Sequence, residues 1–202
     1  MDPFEILMEE HRVIEQVLSC LEKMTGQFQT KKKLDSAVAT DALKFIRNFA
    51  DKCHHGKEED RLFPALEKKD RFPRGCGPTE VMRAEHEHGR TLVHGMSDAI
   101  VDAKSDKAVA VERFARNARR YVALLREHIH KEDDCLFPNA RMSLDEHERE
   151  ALSLAFEKVE HEEMGVGTHE KFLALANSLA DRYGVPHAQA KVEGCCHHRH
   201  ER

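Results

Sequence analysis

Apolar residues recur at alternating spacings of three and four over the first 140 or so positions, which is the period of helices packed in a bundle. The first such stretch carries an apolar seam formed by Phe4, Leu7, His11, Ile14, Leu18 and Leu21. Asp2 and Pro3 are typical of a helix start, and Gly26 followed by a lysine run at 31–33 predicts its end. The sequence therefore predicts a first helix that carries a histidine on its core side.

A second helix is predicted over about residues 34–63. The residues on its core side are Leu43, Ile46, Ala50, His54 and Glu58. Two adjacent histidines compete for the core position. The residue one turn before His54 is the apolar Ala50, whereas the residue one turn before His55 is the charged Asp51. We therefore predict that His54 faces the core and that His55 faces solvent.

Two further helices repeat this arrangement after a Pro- and Gly-rich loop at residues 71–78. The third is predicted from Pro78 or Thr79, with Met82, His86, Gly89, Val93, Met96 and Ile100 on one side. The fourth is predicted from Ser105 or Asp106, with Val111, Phe114, Ala118, Tyr121, Leu125, His128, Glu132 and Cys135 on one side. Four such helices with polar connections predict an all-α, antiparallel up-down-up-down four-helix bundle.

An internal repeat identifies the chemistry. Residues 54–64, HHGKEEDRLFP, return as residues 128–138, HIHKEDDCLFP, and in each copy a His stands four residues before a Glu. On a helix, this spacing places both side chains on one face, one turn apart. His11 and His86 are separated by almost the same interval. The chain therefore looks like a duplicated helical hairpin, each half giving one lone His and one His/Glu pair.

Six residues are candidate metal ligands: His11, His54, Glu58, His86, His128 and Glu132. A single His in an apolar seam is more often a hydrogen-bonded core residue. Four of them together with two carboxylates favour a metal site, because burying two unpaired glutamates would cost several kcal/mol. Carboxylates from facing helices can bridge two cations. By ligand type alone, Fe, Mn or Zn would fit.

The rest of the chain predicts a C-terminal helical extension over residues 143–184 and a polar tail over residues 185–202. Ser143 and Glu146 indicate a capping box, and Gly184 indicates a helix end. A break at residues 165–167 divides the extension, and the residues near it that could add a ligand are Glu160, His161, Glu163 and His169. The tail contains Cys195, Cys196, His197 and His198, which could take up metal or have no role.

Composition excludes several classes of function. The 32 Lys and Arg are interspersed with 37 Asp and Glu, so nothing indicates a nucleic-acid partner. No apolar stretch approaches the roughly 18 residues of a membrane span, and the N-terminus lacks the features of a signal peptide. The six cysteines are irregularly spaced, which favours reduced thiols. We expect a cytoplasmic protein without a membrane partner.

The order of a lone His, His-x-x-x-Glu, a lone His and His-x-x-x-Glu resembles the hemerythrin-like, or HHE cation-binding, domain family over about residues 1–140. The Leu62-Phe63-Pro64 motif is similar to that of its bacterial members. The resemblance implies a domain at residues 1–142 that holds two iron ions, with Mn or Zn less favoured. It implies that the four seam histidines are terminal ligands and that Glu58 and Glu132 are bridges.

A comparison with the oxygen-carrying members of that family shows one departure and leaves one ligand open. They have a second His four residues after the one on the third helix, where this chain has Arg90. They also have an Asp five residues after the last His, so the resemblance leaves Glu132 and Asp133 both open, while the repeat favours Glu132.

The resemblance implies a non-haem di-iron protein that binds or reacts with dioxygen, nitric oxide or peroxide in a sensing, detoxifying or oxygen-handling role. The alternative is an iron-storage or iron-supply-sensing module without turnover. Whether the protein is an enzyme stays open.

Overall fold

The computed structural model describes residues 1–103, 107–165 and 167–188, and these residues form helices without any strand. The six helices are α1 (Pro3–Lys31), α2 (residues 36–66), α3 (Pro78–Asp102), α4 (residues 107–143), α5 (residues 146–163) and α6 (Thr168–Tyr183). The predicted all-α class is confirmed. The predicted start of the fourth helix, at Ser105 or Asp106, lies outside the described residues. None of the helices described combines the length and apolar character needed to cross a membrane.

Helix α1 ends within the lysine run, as predicted, although it continues through Gly26, and its cap residue Lys32 has a left-handed backbone with φ of 47°. The capping box predicted at Ser143 and Glu146 is wrong. The capping box of α5 is formed by Asp145 and Glu148, because Ser143 still belongs to the end of α4. The Asp145 carboxylate accepts a hydrogen bond from the Glu148 backbone N–H, and the Glu148 side chain accepts one from Asp145. This reciprocal pair satisfies two donors at the start of α5.

The Leu-Phe-Pro motif does not end a helix in either repeat. A proline lacks the N–H of a helical bond, and its ring collides with the carbonyl four residues earlier. The turn before Pro64 is widened into a π-helix, in which Phe63 donates its N–H to the Glu58 carbonyl, five residues back. The same bond joins Phe137 to Glu132 in α4. Helix α2 therefore extends to residue 66, beyond the predicted end at residue 63.

A longer π-helical stretch, Ile46–His55, precedes the ligand-bearing turn of α2. A π-helix rotates less per residue than an α-helix, because its hydrogen bonds reach back five residues. Neighbouring side chains therefore point in more similar directions, and Cys53, His54 and His55 are all buried. The prediction that His55 faces solvent is wrong, because it assumed regular α-helical geometry over this stretch.

Two apolar clusters fill the interior at different levels along the helices. The larger contains Ile14 to Phe28 of α1, Val38 to Ala50 of α2, Leu92 to Ala99 of α3 and Val111 to Ile129 of α4. The smaller contains Phe4, Leu7, Leu62, Phe63, Leu66, Phe72, Met82, Leu136, Phe137 and Ala140. On α1, α2 and α3 the candidate ligands fall between these two levels, and on α4 His128 and Glu132 lie at the end of the larger cluster, before Leu136 of the smaller. The polar residues are therefore enclosed by apolar side chains on both sides.

The two C-terminal helices pack against the long helices and extend both clusters. Phe156 of α5 joins the smaller cluster, and Phe172 of α6 joins the larger. The Phe172 ring lies edge-on to Phe45, with 6.4 Å between centroids. Gln16 of α1 donates a hydrogen bond of 3.1 Å to Asn177 of α6. Residues 143–184 thus cover one side of α1 and α2.

Candidate metal centre

The six predicted ligand residues come together between the two apolar clusters. All are buried, and none exposes more than 2% of its surface. The Glu132 carboxylate lies 3.2 Å from His11 Nε2 and 3.3 Å from His128 Nε2. The Glu58 carboxylate lies 3.6 Å from His54 Nε2 and 3.5 Å from His86 Nε2. Each glutamate therefore lies between imidazoles from two different helices.

These residues form two groups that share one carboxylate. The first group is His11, His54, Glu58 and Glu132, and the second is His55, Glu58, His86 and His128. Within each group, one nitrogen or carboxylate oxygen per residue lies within 4.8 Å of the others. Imidazole nitrogens and carboxylate oxygens at such spacing suit first-row transition metals. Glu58 is common to both groups, so the arrangement fits two neighbouring cations.

Seven buried atoms of this centre have no hydrogen-bond partner. They are Nε2 of His11, His54 and His55 and both carboxylate oxygens of Glu58 and Glu132. Buried polar atoms are almost always hydrogen-bonded in proteins, and an unpaired buried carboxylate is costly. Burial raises the pKa of both glutamates well above the usual value. Metal ligation would satisfy all seven atoms at once, so the residues present fit a pair of cations.

A second layer of carboxylates surrounds the imidazoles. The Nδ1 atom of each of the four predicted histidines faces an acidic side chain: His11 faces Asp133 at 2.7 Å, His54 faces Glu10 at 2.9 Å, His86 faces Glu59 at 2.6 Å, and His128 faces Glu85 at 3.0 Å. A carboxylate at Nδ1 keeps the proton on that nitrogen and leaves Nε2 free to bind a metal. Every one of these rings is oriented as a ligand requires.

Each outer carboxylate in turn contacts a cation. The pairs are Asp133 with Arg12, Glu10 with Lys57 at 2.5 Å, Glu59 with Arg90 at 2.8 Å, and Glu85 with Lys131 at 2.6 Å. Hydrogen bonds from His128 and Lys131 lower the pKa of Glu85. Each carboxylate of the outer layer is therefore paired with a basic side chain.

The internal repeat encodes this outer layer. Glu10 and Glu85 come directly before His11 and His86, while the acids that follow Glu58 and Glu132 are Glu59 and Asp133. Sequence reasoning missed three of these four outer acids, although their recurrence in both halves was a usable signal. Of the two acids left open by the family resemblance, Glu132 lies next to His11 Nε2 in the centre, and Asp133 contacts His11 Nδ1 on the far side of the ring.

His55 is the main addition to the predicted set. Its ring stacks on His86, with 3.8 Å between centroids and 12° between planes, and burial lowers its pKa to about 4. The equivalent position in the second repeat is Ile129, so the second ligand group has three imidazoles and the first has two. Arg90, which stands where the oxygen carriers have a fifth histidine, pairs instead with Asp51, the acid beside His55 Nδ1.

The candidates in the C-terminal extension do not join the two ligand groups. Glu160 contacts the ammonium of Lys57 at 2.5 Å, and His169 lies 3.9 Å from Glu10. His161 is exposed. Lys57 is fully buried, and the charge of Glu10 raises its pKa in spite of the burial. The extension therefore reaches the centre indirectly, through Lys57 and Glu10.

Two further sets of candidate ligands lie outside the described residues. They are the side chain of Glu163 and the tail residues Cys195, Cys196, His197 and His198.

Helices that bring together buried histidines and two buried glutamates, one of them shared by both groups, are typical of helical cation-binding proteins. The family model of the hemerythrin HHE cation-binding domain matches residues 2–140. The chain belongs to that family. Among curated proteins, it is similar to the uncharacterized protein Rv1995 of Mycobacterium tuberculosis and the uncharacterized protein Mb2018 of Mycobacterium bovis. Each is 25% identical over 177 residues, which cover 88% of this chain and 67% of the relative.

Proposed function

We propose that the centre holds two iron ions and binds or reacts with a small molecule, namely dioxygen, nitric oxide or peroxide. The observation that carries this proposal is the pair of ligand groups sharing Glu58. One group offers three imidazoles and the other two, and the atoms directed at the centre lack hydrogen-bond partners. Iron is favoured over Mn and Zn because a redox role suits a small reactive molecule and because the family resemblance implies it.

We also propose that the four long helices form the antiparallel up-down-up-down bundle. His11 and His86 lie in the first half of α1 and α3, whereas His54 and His128 lie in the second half of α2 and α4. All four meet at one level. If successive helices run in alternating directions, short connections are enough to bring the four histidines to the same level. In this arrangement, residues 1–142 form the metal-binding domain and residues 143–184 form an extension beside it.

The chain's own residues would orient and enclose the reaction. A bound iron pair supplies a change of oxidation state and a coordination position for the incoming molecule. The outer carboxylates hold a proton on each Nδ1, which fixes the rings. Phe137 stacks on His11 with planes 9° apart, and Phe63 stacks on His86 with planes 14° apart. The Leu-Phe-Pro motif of each repeat therefore shields the centre from water on one side.

Metal analysis and optical spectroscopy test the proposal. Protein purified without oxygen should contain close to two irons per chain and should develop a new charge-transfer band with dioxygen, nitric oxide or peroxide. The Glu58→Gln/Glu132→Gln double variant should lose iron, whereas His130→Ala should keep it, because His130 is exposed. Two irons without any spectral response would instead support storage or supply sensing. Absence of iron from the native protein would overturn the proposal.

A further inference from the structure

A cavity of about 360 Å³ lies directly beside the second ligand group, between α2, α3 and α4. Its lining includes His55, His86, Gly89, Arg90, Val93 and Tyr121. The cavity is open to solvent at one side, where Arg47 and His94 lie. We call it the entry chamber. The entry chamber therefore places solvent-accessible space next to the imidazoles of His55 and His86.

Gly89 creates part of this space. It is buried within α3, and a Cβ atom there would lie 3.5 Å from Tyr121 Cε2 and 3.7 Å from Leu125 Cδ2. Those are ordinary contact distances, so an alanine fits without displacement of its neighbours. A longer side chain at this position has to occupy volume of the chamber. Gly89 therefore offers a way to fill the chamber without touching a ligand residue.

The Tyr121 hydroxyl gives the chamber a polar contact point. The residue is 2% exposed and lines the chamber. The guanidinium of Arg90 lies nearby on the same lining, held by Asp51 and Glu59. The chamber thus presents hydrogen-bond donors to a small molecule that carries acceptor atoms.

His55 separates the chamber from the centre. Its ring and that of His86 are in van der Waals contact, so no molecule can pass between them. Its Nδ1 contact, to Asp51, is 3.4 Å, whereas the corresponding contacts of the other four histidines are between 2.6 and 3.0 Å. His55 is consequently the least firmly held imidazole, and it is the one that lines the chamber together with His86.

We propose that the entry chamber is the binding site through which a small acceptor-bearing molecule reaches the metal pair, and that His55 is an exchangeable ligand that leaves its cation position and moves into the chamber to admit the molecule. This inference rests on the proposed function for the identity of the molecule. The chamber and the movement of His55 belong to the protein without metal as well. They can therefore be tested independently of iron.

The first test uses iron-loaded full-length protein and azide as the probe. Stopped-flow absorption measures the rate of azide binding in the native protein, Gly89→Ala, Gly89→Leu and the control Gly26→Leu. Gly26 is exposed inside α1 with nothing within 4 Å of an added Cβ. We expect Gly89→Leu to bind azide at least about tenfold more slowly at equal iron content, Gly89→Ala to show a smaller slowing, and Gly26→Leu to match the native rate. Native rates in both Gly89 variants would overturn the proposal.

The second test uses metal-free protein and diethyl pyrocarbonate, a small reagent that modifies neutral imidazole. Mass spectrometry of the modified sites should show that His55 reacts faster than the equally buried His54, and that Gly89→Leu suppresses the reaction at His55 only. Equal, slow modification of both residues would overturn the movement of His55. If the native protein holds no iron, the proposed function fails while this test still decides the role of the chamber.

Discussion

His55 and His86 lie face to face, with their ring centroids 3.8 Å apart and their planes 12° apart. The contact joins α2 to α3 at the level of the shared Glu58. Both rings belong to the second group of candidate ligands, so that group contains three imidazoles and the first contains two. The consequences of this unequal distribution are measurable.

Replacement of His55 should affect metal content selectively. His55→Ala removes one imidazole from the group that contains His86 and His128, but it leaves the group of His11 and His54 intact. We expect the variant to retain close to one equivalent of iron where the native protein retains two. Elemental analysis after dialysis measures this ratio. His130→Ala is the control, and an unchanged content in His55→Ala would show that this residue is not a ligand.

The outer carboxylates should tune metal affinity without being ligands. Asp133→Asn weakens the acceptor beside His11 Nδ1, and loss of such a contact typically costs roughly 10–100-fold in metal affinity. The matched control is Asp134→Asn, one residue later, which contacts only the exposed His130. Competition with a chelator of known affinity gives the apparent dissociation constants. If the two variants behaved alike, the outer layer would have no role in holding the metal.

Lys57 and Lys131 each pair with an outer carboxylate, but Lys57 is more deeply buried than Lys131. Lys57 is fully buried against Glu10, so Lys57→Met should lower the free energy of unfolding by about 3 kcal/mol, because a buried charge loses its partner. Lys131 pairs with Glu85 near the surface, and Lys131→Met should cost at most about 1 kcal/mol. Urea denaturation of metal-free protein compares them. A cost for Lys131→Met equal to that for Lys57→Met would contradict the difference in burial.

The metal-free protein should lose stability as the pH rises. Burial raises the pKa of Glu58 and Glu132, so the folded state keeps protons that the unfolded state has released above its ordinary pKa of 4.5. The unfolded state then binds fewer protons, and stability falls with pH by about 1.4 kcal/mol per unit for each carboxyl that stays protonated.

Denaturation midpoints between pH 7.5 and 9, in the presence of a chelator, measure this slope. The Glu58→Gln/Glu132→Gln variant should show a flatter dependence. Parallel slopes for the native protein and the variant would mean that these carboxyls are ionised in the folded state.

The lowered pKa values of the buried histidines give the opposite contribution to stability below pH 7. Burial lowers the pKa of His54, His86 and His128, so the unfolded state takes up protons near pH 6.5 that the folded state refuses. For these three groups the unfolded state binds more protons, so their contribution to stability falls as the pH drops from 7 towards 5, in opposition to the contribution of Glu58 and Glu132. His54→Gln should reduce this acid sensitivity in metal-free protein, whereas His130→Gln should leave it unchanged. Thermal melts over that pH range make the comparison.

The helical class and the meeting of the six central residues could be predicted because both depend on regular periodicity. A residue such as His86 shares a helix face with apolar neighbours, and that pattern is visible without any tertiary information. His55 was placed wrongly because the period changes within α2, where ten consecutive residues are π-helical. Nothing in the composition of that stretch indicates the change.

The outer residues were difficult to predict for a different reason. Glu59 and Glu85 lie at the edges of the core faces, where an acidic residue is usually solvated, and their roles arise only from packing against a neighbouring helix. Glu59 of α2 faces His86 of α3, and Glu85 of α3 faces His128 of α4. Such pairings depend on how helices are arranged in space, so periodicity along one helix does not reveal them.

The buried Lys57 has a consequence for the C-terminal helices. Its ammonium is shared by Glu10, which holds His54, and by Glu160 of α5. If α5 separates from α1 and α2, Lys57 loses one of its two counter-charges and the position of Glu10 is no longer fixed. By thermodynamic linkage, if the attachment of α5 strengthens cation binding at His54, the bound cation strengthens the attachment of α5 to the same extent. We therefore expect bound metal to increase the resistance of the C-terminal helices to proteolysis.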